Sequence, residues 1–245
     1  MNAPRLTVCV VTQSHAAWLR LALASVAPVA DEIVVVDGGS ADDTEAAARG
    51  FPQVRYFARP WPGSFADQKN FAMDQAGGDW ILLLDHDEAV GERFRAGVSR
   101  WIRARRVTHY KLPRYWIAAT DPLRHVVTTT HWPDYQTRLV RNDARWRYPV
   151  AGEGEPGRVH HAFPREVRGP GRRLHRAHLF HFDLLFNDRR AREAKVARYD
   201  ALEPGRAAVH RAYSLYEDAP HGLRRCGEPL GAPLERGIGA ARGSA

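Results

Sequence analysis

Asp85, Asp87 and Glu88 stand within four positions of one another, directly after the apolar run at residues 80–84 in the stretch WILLLDHDEAV. Carboxylates this close repel, and such a group persists where a cation sits among them or where water reaches them. Two chemistries are therefore open to it, a divalent metal site and a solvated strand end. A further acid, Asp37, ends the apolar run EIVVVD, and Lys69 lies between these acids in GSFADQKNFAMDQAGGDW. Acids so placed can bind ribose hydroxyls, accept a base N–H, or hold a divalent metal that in turn holds a diphosphate, with Lys69 as compensating charge. Later in the chain, His175, His178 and His181 are spaced by three, which on a helix would gather them into a metal face. The surrounding AHLFHFD reads instead as a strand, whose period of two sets His178 with Phe180 and Phe182 and turns His181 the other way with Leu179 and Asp183.

The elements that must position these residues alternate regularly through the first hundred positions. LTVCVVT (6–12), EIVVVD (32–37), QVRYF (53–57) and WILLL (80–84) are short apolar runs of the kind buried on both faces of a parallel sheet. Helical patterns separate them: one carries Trp18, Leu19, Leu21, Leu23 and Val26, one opens at Ser40 as its cap, and one spans 65–76 with Lys69 on it. A sheet of about seven strands, largely parallel at its start, is expected. Ligands of such sheets bind off the carboxyl ends of the strands, where Thr12, Asp37 and Asp85 lie. Neither GxGxxG after the first strand nor GxxxxGK[ST] occurs, so the dinucleotide fold signature and the P-loop are both missing.

The 245 residues suffice for a substantial core, and 44% hydrophobic with 10% aromatic residues is a globular composition. No apolar run approaches the roughly 18 residues of a membrane span, and no signal-peptide core follows the N-terminus. A cytosolic protein is expected. Cys9 and Cys226 build neither a disulfide framework nor a thiolate zinc site. The net charge of +8 comes almost wholly from arginine, with Lys69, Lys111 and Lys195 the only lysines. It favours anionic partners, and leaves ordinary solvated surface and peripheral contact with the inner face of a membrane both open. After residue 186 the chain turns into charged helix (DRRAREAKVARYDAL), a second helix near 206–216, and a tail, GAPLERGIGAARGSA, that reads as frayed.

In order and spacing, VVT (10–12), VDGGSADDT (36–44), QKNFAMDQAGGDW (68–80) and LDHDE (84–88) resemble glycosyltransferase family 2 enzymes of GT-A fold, most nearly the branch of bacterial lipopolysaccharide-core transferases. HWPDYQTRLVRN (131–142), RVHHAF (158–163) and HLFHFD (178–183) extend the resemblance. It implies an α/β GT-A fold, a Rossmann-like mixed sheet flanked by helices. The catalytic domain would span 1–186, divided into a nucleotide-binding half (1–90) and an acceptor-side half (91–186), with a helical extension over 187–245. It further implies nucleotide contacts at Thr12, Asp37, Gly39, Lys69, Asp85 and His86, and a DxD metal site for Mn2+ or Mg2+ at Asp85 and Asp87, completed by His181.

The implied activity is inverting transfer of a sugar from a nucleoside-diphosphate sugar, UDP- or GDP-linked, to a hydroxyl of a glycan, lipid-linked or small-molecule acceptor. Such a reaction calls for a general base. The branch often carries an acid after the histidine of Val-His-Glu, whereas this chain reads Val159-His160-His161. Asp134, Glu153, Glu155 and His161 all stay candidates, with Asp134 in the better-matched block. Two rival classes fit less well. A nucleotidyltransferase would show a Gly-rich basic loop after the first strand, which VVTQSHAAW lacks, and acids at the strand ends have the wrong sign for a nucleic-acid partner.

Overall fold

Strands β1 (Leu6–Thr12), β2 (Glu32–Asp37), β3 (Val54–Ala58) and β4 (Trp80–Asp85) lie side by side in the order β3-β2-β1-β4, all parallel. The computed structural model describes residues 3–150, 169–214 and 222–242. Alternate side chains of these strands enter two different cores. Val8, Val10, Ile33, Val35, Leu82 and Leu84 face one, while Cys9, Val11, Val34, Val36, Ile81 and Leu83 face the other. Of the helices α1 (Ala16–Val26), α2 (Thr44–Arg49), α3 (Phe65–Asp74) and α4 (Glu92–Trp101), three cover the first face, through Leu19, Leu23, Ala48 and Phe94; α3 covers the second through Ala66, Ala72 and Met73. Burying each Val, Leu or Ile on both sides contributes about 1.5–3 kcal/mol, which is why the runs need no polar alternation.

An apolar strand buried on both faces has no pattern to fix its register. Polar groups at the amino ends do that here. Glu32, almost fully buried, accepts hydrogen bonds from Thr7 Oγ1 at 2.6 Å, Gly77 N at 2.8 Å and Arg55 Nη1 at 2.7 Å. Gly78 donates to Thr7 Oγ1, and a Cβ there would stand 2.9 Å from the Arg5 carbonyl, so only glycine lets the chain pass. The resulting pairing, Thr12 with Asp37 and Val11 with Asp85, brings the acid-ended strands to one edge.

The sheet continues with β5 (Glu88–Val90), β6 (His109–Thr120), β7 (Leu123–Val126), β8 (Asp134–Arg141), β9 (Gly171–Arg173), β10 (Leu179–His181) and β11 (Leu223–Arg225). Strand β8 inserts antiparallel between β4 and β6. Strand β10 lies parallel to β6 and antiparallel to β5, which sets His181 opposite Glu88. Among the described residues eleven strands stand where about seven were expected. The surplus comes from β5, β9, β10 and β11, three residues each, too short to carry a periodic signal. Helix α2 begins at Thr44, not at Ser40, because Ser40 is drawn back to Asp37 and Asp43 takes the cap position.

After α5 (Asp183–Phe186), helix α6 (Arg189–Leu202) is capped by Asp188, which accepts from Ala191 N at 2.7 Å, and α7 (Ala207–Ser214) packs against it. The tail expected to fray forms α8 (Ala232–Arg242) over most of its length. Leu234, Ile238 and Ala241 make one narrow stripe that closes over Trp18 and Leu21 of α1, and Trp18 Nε1 donates to the Ala241 carbonyl at 3.2 Å. Gly237, its Cβ position 3.4 Å from Leu21 Cδ1, lets the helices approach. No helix among the described residues is long and apolar enough to cross a membrane. Ile238 is 2% exposed, so Ile238→Ala should lower the free energy of unfolding by about 2–5 kcal/mol in urea titration; unchanged stability would mean that α8 does not hold to α1 in solution.

Candidate active site

At the carboxyl edge the acids are answered by arginines from the second half of the chain. Asp85 Oδ1 receives Lys69 Nζ at 2.7 Å and its Oδ2 receives Arg138 Nη2 at 2.6 Å. The same Arg138 Nη2 lies 2.8 Å from Glu88 Oε1, which also takes Arg114 Nη1 at 3.2 Å. Arg114 Nη2 then reaches Asp134 Oδ2 at 2.7 Å. Lys69, Asp85, Arg138, Glu88, Arg114 and Asp134 thus form one chain of alternating charge, and Glu88 at its centre has a fully buried side chain. Burial alone would raise the carboxyl pKa of Asp85; Arg138 and Lys69 outweigh it and hold Asp85 well below the usual carboxylate range. Asp134 is likewise held low against its burial, by Arg114 and by hydrogen bonds from Trp116 Nε1 and Gln136.

Asp87, two residues on, takes no part in this chain. Its Oδ2 is 3.3 Å from His181 Nε2, and among the described residues no Lys or Arg lies within ion-pair distance of it. Burial opposes its ionisation too, and His181 is the main influence holding its pKa down. Neighbouring ligands on an octahedral divalent ion, each about 2.0–2.2 Å from it, stand about 3 Å apart, so the Asp87–His181 pair suits one. His181 Nδ1 and Asp183 Oδ2 are buried without a hydrogen-bond partner among the described residues, a ring nitrogen and a carboxylate oxygen left for bridging water. Asp183 is otherwise tied to Lys195 Nζ at 2.8 Å. No cluster of three or more His, Cys, Asp or Glu among the described residues converges as a metal cage, so Asp87 and His181 would need substrate oxygens and water to complete coordination.

The other residues expected at the nucleotide site share this edge. Thr12 ends β1, its hydroxyl on the Ser14 carbonyl at 3.2 Å. Asp37 is buried with both oxygens engaged: Oδ1 accepts from Gly39 N, Ser40 N and Ser40 Oγ, and Oδ2 from Tyr56 OH. The carboxylate therefore shapes the turn, leaving Gly39, at φ 105° and with open space beside it, as the exposed feature. Lys69 binds Asp85, and His86 lies parallel to His15 and Trp18 with ring centroids 5.9 Å away from each. Asp85 is turned to Lys69 and Arg138, so the structure brings together Asp87 and His181 of the three expected metal ligands. Glu153, Glu155 and His161 lie outside the described residues. Sequence reading overlooked Arg114, Arg138 and Tyr56. The signal for the arginines was present, basic residues amid buried positions in LPRYWI and QTRLV, as many cations as the acids required.

Arg138→Met should cost about 3–5 kcal/mol in chemical unfolding, since it strands Asp85 and Glu88 on the buried side of the edge, and Arg138→Lys should recover part of it. Because the Asp85 pKa is depressed by folding, its contribution is complete above about pH 4 and is lost as pH falls through the folded value. The acid limb of stability should accordingly be shallower in Arg138→Met than in the wild type; equal limbs would show that the guanidinium does not govern Asp85.

A family described as glycosyl transferase family 2 matches residues 7–148, from β1 to just beyond β8. An uncharacterized glycosyltransferase of Rickettsia felis is 34% identical over 91 residues, 37% of this chain and 31% of that protein. The lipopolysaccharide core biosynthesis glycosyltransferase LpsC of Rhizobium meliloti is 39% identical over 69 residues, 26% of this chain and 25% of that protein. This chain thus spans less than a third of the length of these curated relatives. Among solved structures, the mannosyltransferase PcManGT from Pyrobaculum calidifontis, in complex with GDP-Man and Mn2+, superposes with a TM-score of 0.56 at 14% identity, covering 99% of this chain and 70% of that one. S. aureus TarS 1–349 in complex with UDP-GlcNAc gives 0.54 at 15% identity, covering 88% and 69%. At such identities the likeness speaks for the fold, which is GT-A. With more than half of its length matched, including the parallel strands, the acids at their ends and β8 with its Arg138, this chain belongs to glycosyl transferase family 2.

Proposed function

We propose that this chain moves a sugar from a nucleoside-diphosphate sugar, with UDP or GDP as leaving group, onto an acceptor hydroxyl with inversion at the anomeric carbon, assisted by Mn2+ or Mg2+. The observation that carries this reading is the contrast between two carboxylates of one motif: Asp85 is neutralised by Lys69 and Arg138, whereas the ion-pair partner of Asp87 among the described residues is His181. An acid left without a cation beside a histidine is the one suited to a metal. The nucleotide sugars bound by PcManGT and TarS support the donor class.

A divalent ion held by Asp87 and His181 would supply positive charge to the departing diphosphate. The protein's own groups do the rest. Asp85, locked between two cations, keeps the turn before Asp87 rigid. Gly39 offers an open backbone surface beside the strand ends for the nucleoside. Asp134, the one candidate base among the described residues, is kept ionised by Arg114. Its Oδ2 is fully subscribed by Arg114 and Trp116, while among the described residues Oδ1 accepts from Gln136 alone, which leaves a lone pair for the acceptor hydroxyl. In this reading residues 1–90 serve the donor, 91–186 the acceptor, and the helices beyond are an extension.

Two outcomes follow. Titration calorimetry with UDP and GDP, with and without Mn2+, should show metal-strengthened binding that Asp87→Asn removes while metal-free binding persists; equal enhancement in the variant would remove Asp87 from the metal. Asp134→Asn should lower kcat on the order of 10²–10⁴-fold with donor binding unchanged. With Asp134 as base and saturating Mn2+, kcat should stay level between about pH 6 and 8, because its depressed pKa keeps it ionised throughout. A limb near about pH 6.5 that vanishes in His161→Gln would give the role to that imidazole instead.

A further inference from the structure

A cleft of about 470 Å3 opens between the segment before β8 and helix α7, within the size range of small-molecule sites. Thr129, Thr130 and Asp134 line one side, and Ala208, Ala212 and Tyr213 of α7 line the other. In a chain of net charge +8, none of the described residues lining this cleft is Lys or Arg. Arg114, which binds Asp134, is already shared between Asp134 and Glu88 and is 11% exposed, and Arg173 stands over the ring of Tyr135 at 5.0 Å from its centroid. A phosphate or carboxylate entering here would meet the charge of Asp134, with no cation among the described lining residues to offset it. Hydroxyl groups would meet what they need: a carboxylate oxygen with a lone pair left, two threonine hydroxyls that both donate and accept, and an aromatic ring for an apolar sugar face.

We propose that this cleft is the acceptor site and that the group entering it is an uncharged sugar, so that the product is a glycosidic bond between two sugars, not a sugar linked to a lipid phosphate. The inference rests on the glycosyltransfer reading above and narrows its acceptor. In the reaction the acceptor hydroxyl gives its proton to Asp134 Oδ1 as its oxygen bonds to the anomeric carbon. The bond from that carbon to the diphosphate oxygen breaks, and its electron pair leaves with the nucleoside diphosphate. Tyr213, its ring 5.4 Å from that of Trp116, sits where it can set which sugar face is presented to Asp134.

Saturation-transfer NMR on the full chain can test the site without turnover, using methyl glucosides, galactosides and mannosides as probes against glucose 1-phosphate and mannose 1-phosphate. Ala208 and Ala212 are exposed on α7, so Ala208→Trp and Ala212→Trp fill the cleft without entering the core, which thermal melts would verify. At least one methyl glycoside should bind the wild type and bind either variant at least tenfold more weakly. Arg211→Trp, on the same helix outside the cleft, should bind it as the wild type does. The proposal is overturned if no methyl glycoside binds, if binding survives in both filled variants, or if only the sugar phosphates bind. Failure of UDP and GDP to bind the wild type, with glycoside binding still lost in the filled variants, would sink the transferase reading and leave the cleft standing as a sugar site.

Discussion

Arg138 joins two buried or half-buried carboxylates through a single nitrogen, and the carboxyl edge of the sheet is organised around that contact. Asp85 and Glu88 are three residues apart and would repel strongly in so dry a place. The guanidinium turns their repulsion into attraction, and Arg114 extends the alternation to Asp134. A buried ion pair adds little net stability compared with apolar packing, but removing one member leaves an uncompensated charge. The chain of six groups therefore acts mainly as a constraint on geometry. It holds β4, β6, β8 and α3 in one relative placement, because each contributes a member.

The antiparallel insertion of β8 makes this possible. A purely parallel sheet would place another strand's carboxyl end beside β4. Here β8 runs the other way, and its pairing of Leu82 with Leu139 carries Arg138 to the acid edge while Asp134 continues beyond it. Asp85, Glu88 and Asp134 are thereby linked through continuous ion pairs. The linkage leaves one acid out. Asp87 lies past the reach of both arginines and is met by His181, which β10 delivers through its pairing with β5.

The second half of the chain closes this arrangement from outside. Lys195 of α6 binds Asp183 directly after β10, so the extension is tied to the strand that bears His181. Helix α8 returns to α1 at the start of the chain, and α7 forms the far wall of the cleft above Asp134. The helices that read as a charged extension with a frayed tail thus make contacts with the elements that carry the site.

Four parallel strands, the helices between them and the gathering of Thr12, Asp37 and Asp85 at one edge were legible from the residues, because an apolar run ending in an acid is a local pattern with one economical burial. The family resemblance lay in the same first ninety positions. Tertiary structure alone decided what each acid does. Asp37 spends its oxygens on Gly39, Ser40 and Tyr56; Asp85 is neutralised; Asp87 is left to His181. For Asp85 and Asp87 the deciding partners, Arg138 and His181, are distant in sequence and sit on a strand whose alternation is blurred by arginines and on one only three residues long. The stripe of α8 was hidden among glycine and alanine for a related reason: its value lies in the close fit against Trp18 and Leu21, and contact with another element leaves no trace in a local pattern. A carboxylate's charge is written in the sequence, but its availability depends on which cations the fold brings within about 4 Å of it.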